Sequence, residues 1–265
     1  HEFDYGMDVF LDLAQNKAEY DYISSNFYYL PSVSPVFETY AIEDLGDYHV
    51  AFVGITTPET FTKSTPAYFQ DENGNYIYGI SGGTDGEALY ADVQTAIDEA
   101  AAEGATQIIA LAHLGDDLSS KPWTSEETIA NVSGLDAFID GHSHSTVVGK
   151  NVADETGNDV LLTQTGEYFN AIGMMVIDAE TGAITTELLA PAAEGEEPTI
   201  IDKSTPDETV KAIKDEWMAT VDEELGQKIG TAEVTFDNYD ADGNRLVRSQ
   251  STNTGSFAAD ALYFL

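Results

Sequence analysis

Short apolar runs flank one long amphipathic stretch in the first half of the chain, and this pattern predicts strand–helix–strand order. Residues 48–56 (YHVAFVGIT) are short, mostly apolar and rich in β-branched side chains, which predicts a buried strand. Leu89, Val93, Ala96, Ile97 and Ala100 recur at helical spacing, so residues 86–103 predict a helix with Gly104 as its stop. Residues 106–112 predict a second buried strand, ending at His113. Thr124-Ser125-Glu126-Glu127 reads as a capping box that opens a short helix. A third strand over 136–140 then runs into Gly141-His142. Upstream, residues 5–15 predict a helix, and DENGN (71–75) carries an Asn-Gly turn signal.

The pattern changes after residue 158. Residues 160–165, 171–177 and 184–189 predict short strands without helices between them, hence an antiparallel meander. An α/β half followed by a meander argues against a repeating βα barrel. Residues 190–204 read as a linker, and Thr205-Pro206-Asp207-Glu208 as a capping box with proline at the first helical position. Val210, Ile213, Trp217, Met218, Val221 and Leu225 line one face of the helix expected next. A β-rich segment is expected after Gly226, with its hairpin signal at Asp242-Gly243. The last residues, FAADALYFL, predict an apolar helix, and no internal repeat is present.

Composition adds three constraints. At ~150 residues per domain, 265 residues suggest about two domains, and 42% hydrophobic content fits a globular protein. Ten Lys and Arg against 48 Asp and Glu give a net charge of −38. Such a surface repels polyphosphate backbones and excludes a nucleic-acid polymer as partner, but it leaves room for a small anionic substrate beside a divalent metal. The chain has no cysteine, which removes disulfides, cysteine-ligated zinc and a thiol nucleophile. No stretch approaches the ~20 apolar residues of a membrane span, and no signal peptide is visible. Opening on His1 and closing inside a predicted helix, the sequence is expected to be an internal piece of a longer protein. It carries no signal for oligomeric state.

The candidate chemistry lies in the histidines. Open α/β sheets place ligands at the carboxyl ends of their strands. His113 and His142 both occupy such ends, and His144 follows in IDGHSHS (139–145). A His-x-His pair can put both rings on one ion if the backbone turns, and Gly141 would permit such a turn. Alone, the pair also fits a solvated loop; His113 at the neighbouring strand end favours metal, with carboxylates completing the shell. His49 lies in strand-like sequence and reads as structural. His1 and Asp4 are three apart, and that spacing by itself reads as ordinary helix capping. N-Y-D-A-D-G (238–243) starts like a calcium loop, but Ser249 occupies the twelfth position, so a turn is the better reading. The nucleophile elbow and the phosphate loop are both absent from the sequence.

Taken in order, the motifs resemble those of the calcineurin-like metallophosphoesterases of the 5′-nucleotidase and UDP-sugar hydrolase family. HEFDYG (1–6) resembles the end of the family's G-N-H-E-F-D-Y-G motif. VGITTPE (53–59), LAHLG (111–115), IDGHSHS and QTGEY (164–168) follow in family order. RSQSTNTGSFAADA (248–261) resembles the R-x-x-E-T-N-x-G-x-x-x-x-D-A start of the family's C-terminal domain, with Ser251 in place of glutamate.

The resemblance implies an α/β (α+β) fold, a four-layer β-sandwich flanked by helices, followed by the start of the 5′-nucleotidase C-terminal domain. It divides the chain into a metallophosphoesterase portion (1–192), a linker with interdomain helix (193–225) and a C-terminal substrate-binding portion (226–265). It implies His113, His142 and His144 as metal ligands, and His1 and Asp4 as the catalytic dyad. It further implies Arg248, Asn253 and Gly255 as substrate-binding residues. Two divalent ions, zinc or manganese, are implied, with in-line displacement at phosphorus on a nucleotide or nucleotide-sugar substrate. The family's Asp-x-His and Gly-Asp metal motifs are expected upstream of this chain, so the piece itself is expected to be inactive. An exported, periplasmic or cell-surface location is implied as well. Related cyclic-nucleotide phosphodiesterases often carry asparagine at the position of Asp4, so Asp4 favours the 5′-nucleotidase or UDP-sugar hydrolase reading. The alternatives are a 2′,3′-cyclic-nucleotide phosphodiesterase/3′-nucleotidase, a non-catalytic surface binding protein on this fold, an amidohydrolase, or an acidic domain with incidental histidines.

Overall fold

The computed structural model describes residues 2–46, 48–178, 180–189, 206–228, 230–241, 246–248 and 250–264. It divides into two compact units, His1–Lys203 and Ser204–Leu265. The first unit opens with α1 (Met7–Asp12), which passes into a π-helical turn at Leu13–Lys17. There follow β1 (Phe27–Tyr29), β2 (Ser34–Pro35), β3 (Tyr40–Asp44), β4 (His49–Thr56), α2 (Thr60–Lys63), β5 (Tyr78–Ile80) and α3 (Glu87–Glu103). Next come β6 (Gln107–His113), α4 (Ser125–Ala130), β7 (Ala137–Asp140), β8 (Thr146–Ala153), β9 (Asp159–Thr165), β10 (Ile172–Ile177) and β11 (Ile184–Leu189). The second unit holds α5 (Glu208–Leu225) and α6 (Asn253–Tyr263).

The main sheet has six strands in the order β3-β4-β6-β7-β9-β8. Its four central strands are parallel, and the edges β3 and β8 run antiparallel. Helix α3 covers one face through Leu89, Val93, Ala96, Ile97 and Ala100, all buried against Ala51, Val53, Ala110 and Phe138. Burying one such leucine contributes about 1.5–3 kcal/mol. The helix stops at Gly104, whose φ of 106° is the left-handed geometry that glycine adopts without a Cβ clash. The other face packs Val50, Ile109 and Ala137 against Met175, Ile177 and Ile184 of the β10–β11 hairpin. A mixed α/β sheet flanked by helices is therefore present, with the two-stranded β10–β11 sheet behind it and a separate three-stranded antiparallel sheet in the order β2-β1-β5.

Several expectations are corrected. Residues 160–165 do not open a meander, because β9 lies inside the main sheet, parallel to β7 and antiparallel to β8. Strand β8 supplies the return stroke that a helix would otherwise make, and of the three strands expected in the meander only β10 and β11 form an antiparallel pair of their own. The sequence hides β8 because it is a mostly exposed edge interrupted by Gly149 and Lys150. Helix α5 is capped by Asp207, which accepts from the Thr209 and Val210 amides, so Pro206 precedes the cap instead of opening the helix. Its apolar face carries no buried residue. Among the described residues after Gly226 no strand forms, and the Asp242-Gly243 signal lies outside them.

Candidate metal and phosphate site

The parallel strands end on one edge of the sheet at Thr56, His113, Asp140 and Thr165. Thr56 is paired in register with His113, and Asp140 with Gln164. Asn26 clamps the first of these ends: its amide donates to the carbonyls of Thr56 (2.8 Å) and Ser81 (3.0 Å), and its carbonyl accepts from the Thr56 amide (2.9 Å). Asp140 secures the next end. Its buried carboxylate accepts from the amides of Leu114 (2.9 Å) and Gly115 (3.2 Å), tying the loop after His113 to β7.

His113 and His142 are brought together, with ring centroids 5.1 Å apart. Gly141 does not provide the turn expected of it. The left-handed residues are His142 (φ 84°) and His144 (φ 60°), a strained geometry for side-chain-bearing residues. Gly141 is required for a different reason: a Cβ there would stand 3.0 Å from His113 Nδ1. Ser143, between the two loop histidines, and Ser145, just after them, hold the loop. Gln164 Oε1 accepts from Ser143 Oγ (3.0 Å) and the Ser145 amide (2.9 Å), and Ser145 Oγ donates to Asp116 (2.6 Å).

Both histidines of the pair meet carboxylates that the sequence reading did not single out. His142 Nε2 lies 2.7 Å from Glu59 Oε2, with side chains only 16% and 13% exposed. Ser120 Oγ donates to the same oxygen at 2.7 Å. Burial opposes ionisation of Glu59, but the hydrogen bonds from Ser120 and His142 prevail and hold its carboxyl below the usual range. His144 Nδ1 lies 2.6 Å from Glu167 Oε2 in a more exposed pair. Burial, then the neighbouring His142, pushes the pKa of His113 down to about 4, so its imidazole is neutral at physiological pH. The opposing charge of Glu2 also acts on His113. Glu59 was legible only as part of the VGITTPE motif, because its partner is 83 residues away.

Asp4 accepts from Ser64 Oγ at 3.1 Å, and Phe3 beside it is anchored among Phe10, Phe27 and Phe69. His1 lies outside the described residues. Asn253 and Gly255 belong to the second unit. The Asn253 amide donates to the Thr235 carbonyl (2.7 Å) and its carbonyl accepts from the Asp237 amide (3.1 Å), while the Gly255 amide caps onto Thr252. Arg248 closes a 3₁₀ turn in the same unit.

The donor chemistry fits a divalent metal, since imidazoles backed by carboxylates are the usual nitrogen ligand set. Among the described residues, no cluster of three or more His, Asp or Glu is gathered closely enough to enclose an ion.

No family model matches the chain. The 5′-nucleotidase of Bos taurus is 23% identical over 286 aligned residues, covering 99% of this chain and 44% of that protein. A 2′,3′-cyclic-nucleotide 2′-phosphodiesterase/3′-nucleotidase of Salmonella typhimurium is 25% identical over 174 residues, 60% of this chain and 25% of that protein. The crystal structure of a 5′-nucleotidase precursor from Thermus thermophilus shares the fold with a TM-score of 0.66 at 22% identity, covering 98% of this chain and 48% of that one. The chain spans less than half the length of the curated relatives it matches. By sequence likeness and by fold, the homologues of this chain are 5′-nucleotidases and 2′,3′-cyclic-nucleotide phosphodiesterase/3′-nucleotidases of the calcineurin-like phosphoesterase family.

Proposed function

We propose that the chain forms part of a metal-dependent phosphohydrolase of the 5′-nucleotidase or UDP-sugar hydrolase type. The observation that carries the reading is the meeting of His113 and His142 at the carboxyl edge of the parallel strands, with Glu59 behind His142. His113, His142 and His144 would hold divalent metal, with zinc or manganese the expected ions and two the expected number. When bound, such ions lower the pKa of water and clamp phosphoryl oxygens. The chain's own residues do the rest. Gln164 and Asp116 fix the histidine loop, and Ser64 holds the Asp4 carboxylate. Asp4 would orient His1, whose imidazolium would stabilise charge on the phosphoryl or leaving oxygen.

Under this reading residues 1–192 supply the metal-binding portion, 193–225 a linker and interdomain helix, and 226–265 the start of a substrate-binding portion. Arg248 would attract the phosphate, with Asn253 and Gly255 shaping the adjoining segment. Nucleotides and nucleotide sugars are the substrate class, and export or cell-surface display is the setting. No described helix is long and apolar enough to cross a membrane. Cyclic-nucleotide phosphodiesterase/3′-nucleotidase activity is the second reading, favoured by the Salmonella, Yersinia and Haemophilus relatives that bear that name.

The test strips metal from the longer protein that contains this chain, restores Zn²⁺ or Mn²⁺, and measures phosphate release from AMP, UDP-glucose and 2′,3′-cyclic AMP. Metal-dependent release from AMP or UDP-glucose is the expected result. Release from the cyclic nucleotide alone would select the second reading. A folded, metal-loaded protein that cleaves none of them would sink both.

A further inference from the structure

With ten Lys and Arg against 48 Asp and Glu, every cation of this chain has acids at hand to pair with. Of the lysines described in the first unit, Lys17 pairs with Asp12 and Lys150 with Glu126, each at 2.6 Å, and Lys121 pairs with Glu127. Lys63 is the exception. It is exposed, and among the described residues its ammonium forms no ion pair. Helix α2 sets it beside the candidate site. This single turn, Thr60–Lys63, runs between two of the site's parts. At its start Glu59 meets His142 at 2.7 Å, and just past its end Ser64 donates to Asp4 at 3.1 Å. Glu59 lies four residues before Lys63, the spacing of a helical ion pair, but its carboxylate is engaged by His142 and Ser120 instead. A single helical turn sums too few peptide dipoles to account for a cation at its end. Bonds from Ser119, and then the charges of Lys63 and His142, hold the carboxyl of Asp117 below the usual range. The lysine and the histidine therefore lie within electrostatic reach of one carboxylate.

We propose that Lys63 is a substrate-binding residue whose ammonium receives the phosphoryl oxygens of an incoming phosphoester at the candidate site. The assignment rests on the phosphohydrolase reading above and adds to it a cation that belongs to the chain itself. The acids gathered there, Glu59, Asp116, Asp117 and Glu167, repel an approaching anion, and Lys63 offsets them. Lysine suits the task, because a point charge on a flexible stem binds phosphate without demanding one geometry. Such a contact is made to substrate and transition state alike, so its loss appears in KM and not in kcat.

The test uses the longer protein that contains this chain, loaded with Zn²⁺ or Mn²⁺, and separates kcat from KM for AMP. K63M keeps the stem and removes the charge. It should raise KM for AMP, and the inhibition constant of inorganic phosphate with it, roughly tenfold while kcat stays within about twofold. K63R retains a cation and should recover most of the loss. K17M removes a lysine already paired with Asp12, controls for net charge, and should change neither constant. Added salt should lower kcat/KM more steeply in the wild type than in K63M. An unchanged KM in K63M, an equal rise in K17M, or a fall in kcat at constant KM overturns the proposal. A second measurement needs no catalysis. In the 265-residue chain with ¹³C-labelled lysine, the Lys63 ε-methylene signal is identified by its absence in K63M. It should shift more with phosphate than with sodium chloride of the same ionic strength, and the Lys17 signal should not. If the longer protein cleaves no phosphoester, a selective Lys63 shift keeps the anion site and counts against the hydrolase reading. No selective shift in that case removes both.

Discussion

At the scale of single residues, the site depends on one missing Cβ and two strained backbones. His142 and His144 occupy left-handed geometry, which costs on the order of 1–3 kcal/mol per residue and persists only where neighbours over-determine it. Gln164, Asp116, Ser143 and Ser145 do that here. Gly141 leaves space for His113 Nδ1, 3.0 Å from where a Cβ would stand. Gly141→Ala should therefore displace the His113 ring while leaving the sheet intact. Zinc affinity should fall about tenfold, as for other losses of ligand placement, with little change in the melting temperature. Calorimetric titration and a thermal melt check this. Equal affinity would mean that the His113 ring placement does not matter to metal binding.

At the scale of elements, helix α3 meets the sheet through an apolar stripe but carries one acid that faces inward. Burial raises the pKa of Asp92 above the usual aspartate value, only partly offset by hydrogen bonds from Ser81 and Tyr28. Tyr28 responds in kind: its own burial, then the Asp92 charge, raises it to about 12. For an acid whose folded pKa is raised, stability is complete below the unfolded pKa and is lost as pH rises through the folded one. Wild-type stability should therefore decline through this residue as pH rises above the ordinary aspartate range. Asp92→Asn should flatten that part of the profile, as measured by urea denaturation at several pH values. A profile of unchanged slope would show that Asp92 ionises in the fold as readily as in water.

At the scale of the whole molecule, charge dominates. A net charge of −38 on 265 residues makes the folded state repel itself, and the exposed ion pairs Lys150–Glu126 and Lys211–Asp215 offset little of this. Raising ionic strength from about 0.01 M to about 0.15 M shortens the screening length from roughly 30 Å to roughly 8 Å, so the melting temperature should rise with neutral salt. A fall would mean that specific ion pairs outweigh the general repulsion. The same charge will gather divalent cations loosely, so only a saturable phase that disappears in a His113→Ala variant counts as the site.

The local pattern of the sequence was enough to fix what depends on near neighbours. The apolar pattern located β4, α3, β6 and β7 to within a residue or two, because each buries a face whose spacing is set by its own backbone. The Thr124 cap and the Gly104 stop were legible for the same reason. Histidines at two strand ends were legible as a candidate site, since strand ends in a parallel sheet share an edge. Tertiary structure alone decided what depends on distant partners. Strand β9 sits between β7 and β8 only because a weak edge strand returns the chain to the sheet. Glu59 faces His142 across 83 residues of sequence, and Gly141 makes room for a ring 28 positions before it. Spacing along a chain cannot report such meetings, because they are set by strand order and register and not by local periodicity.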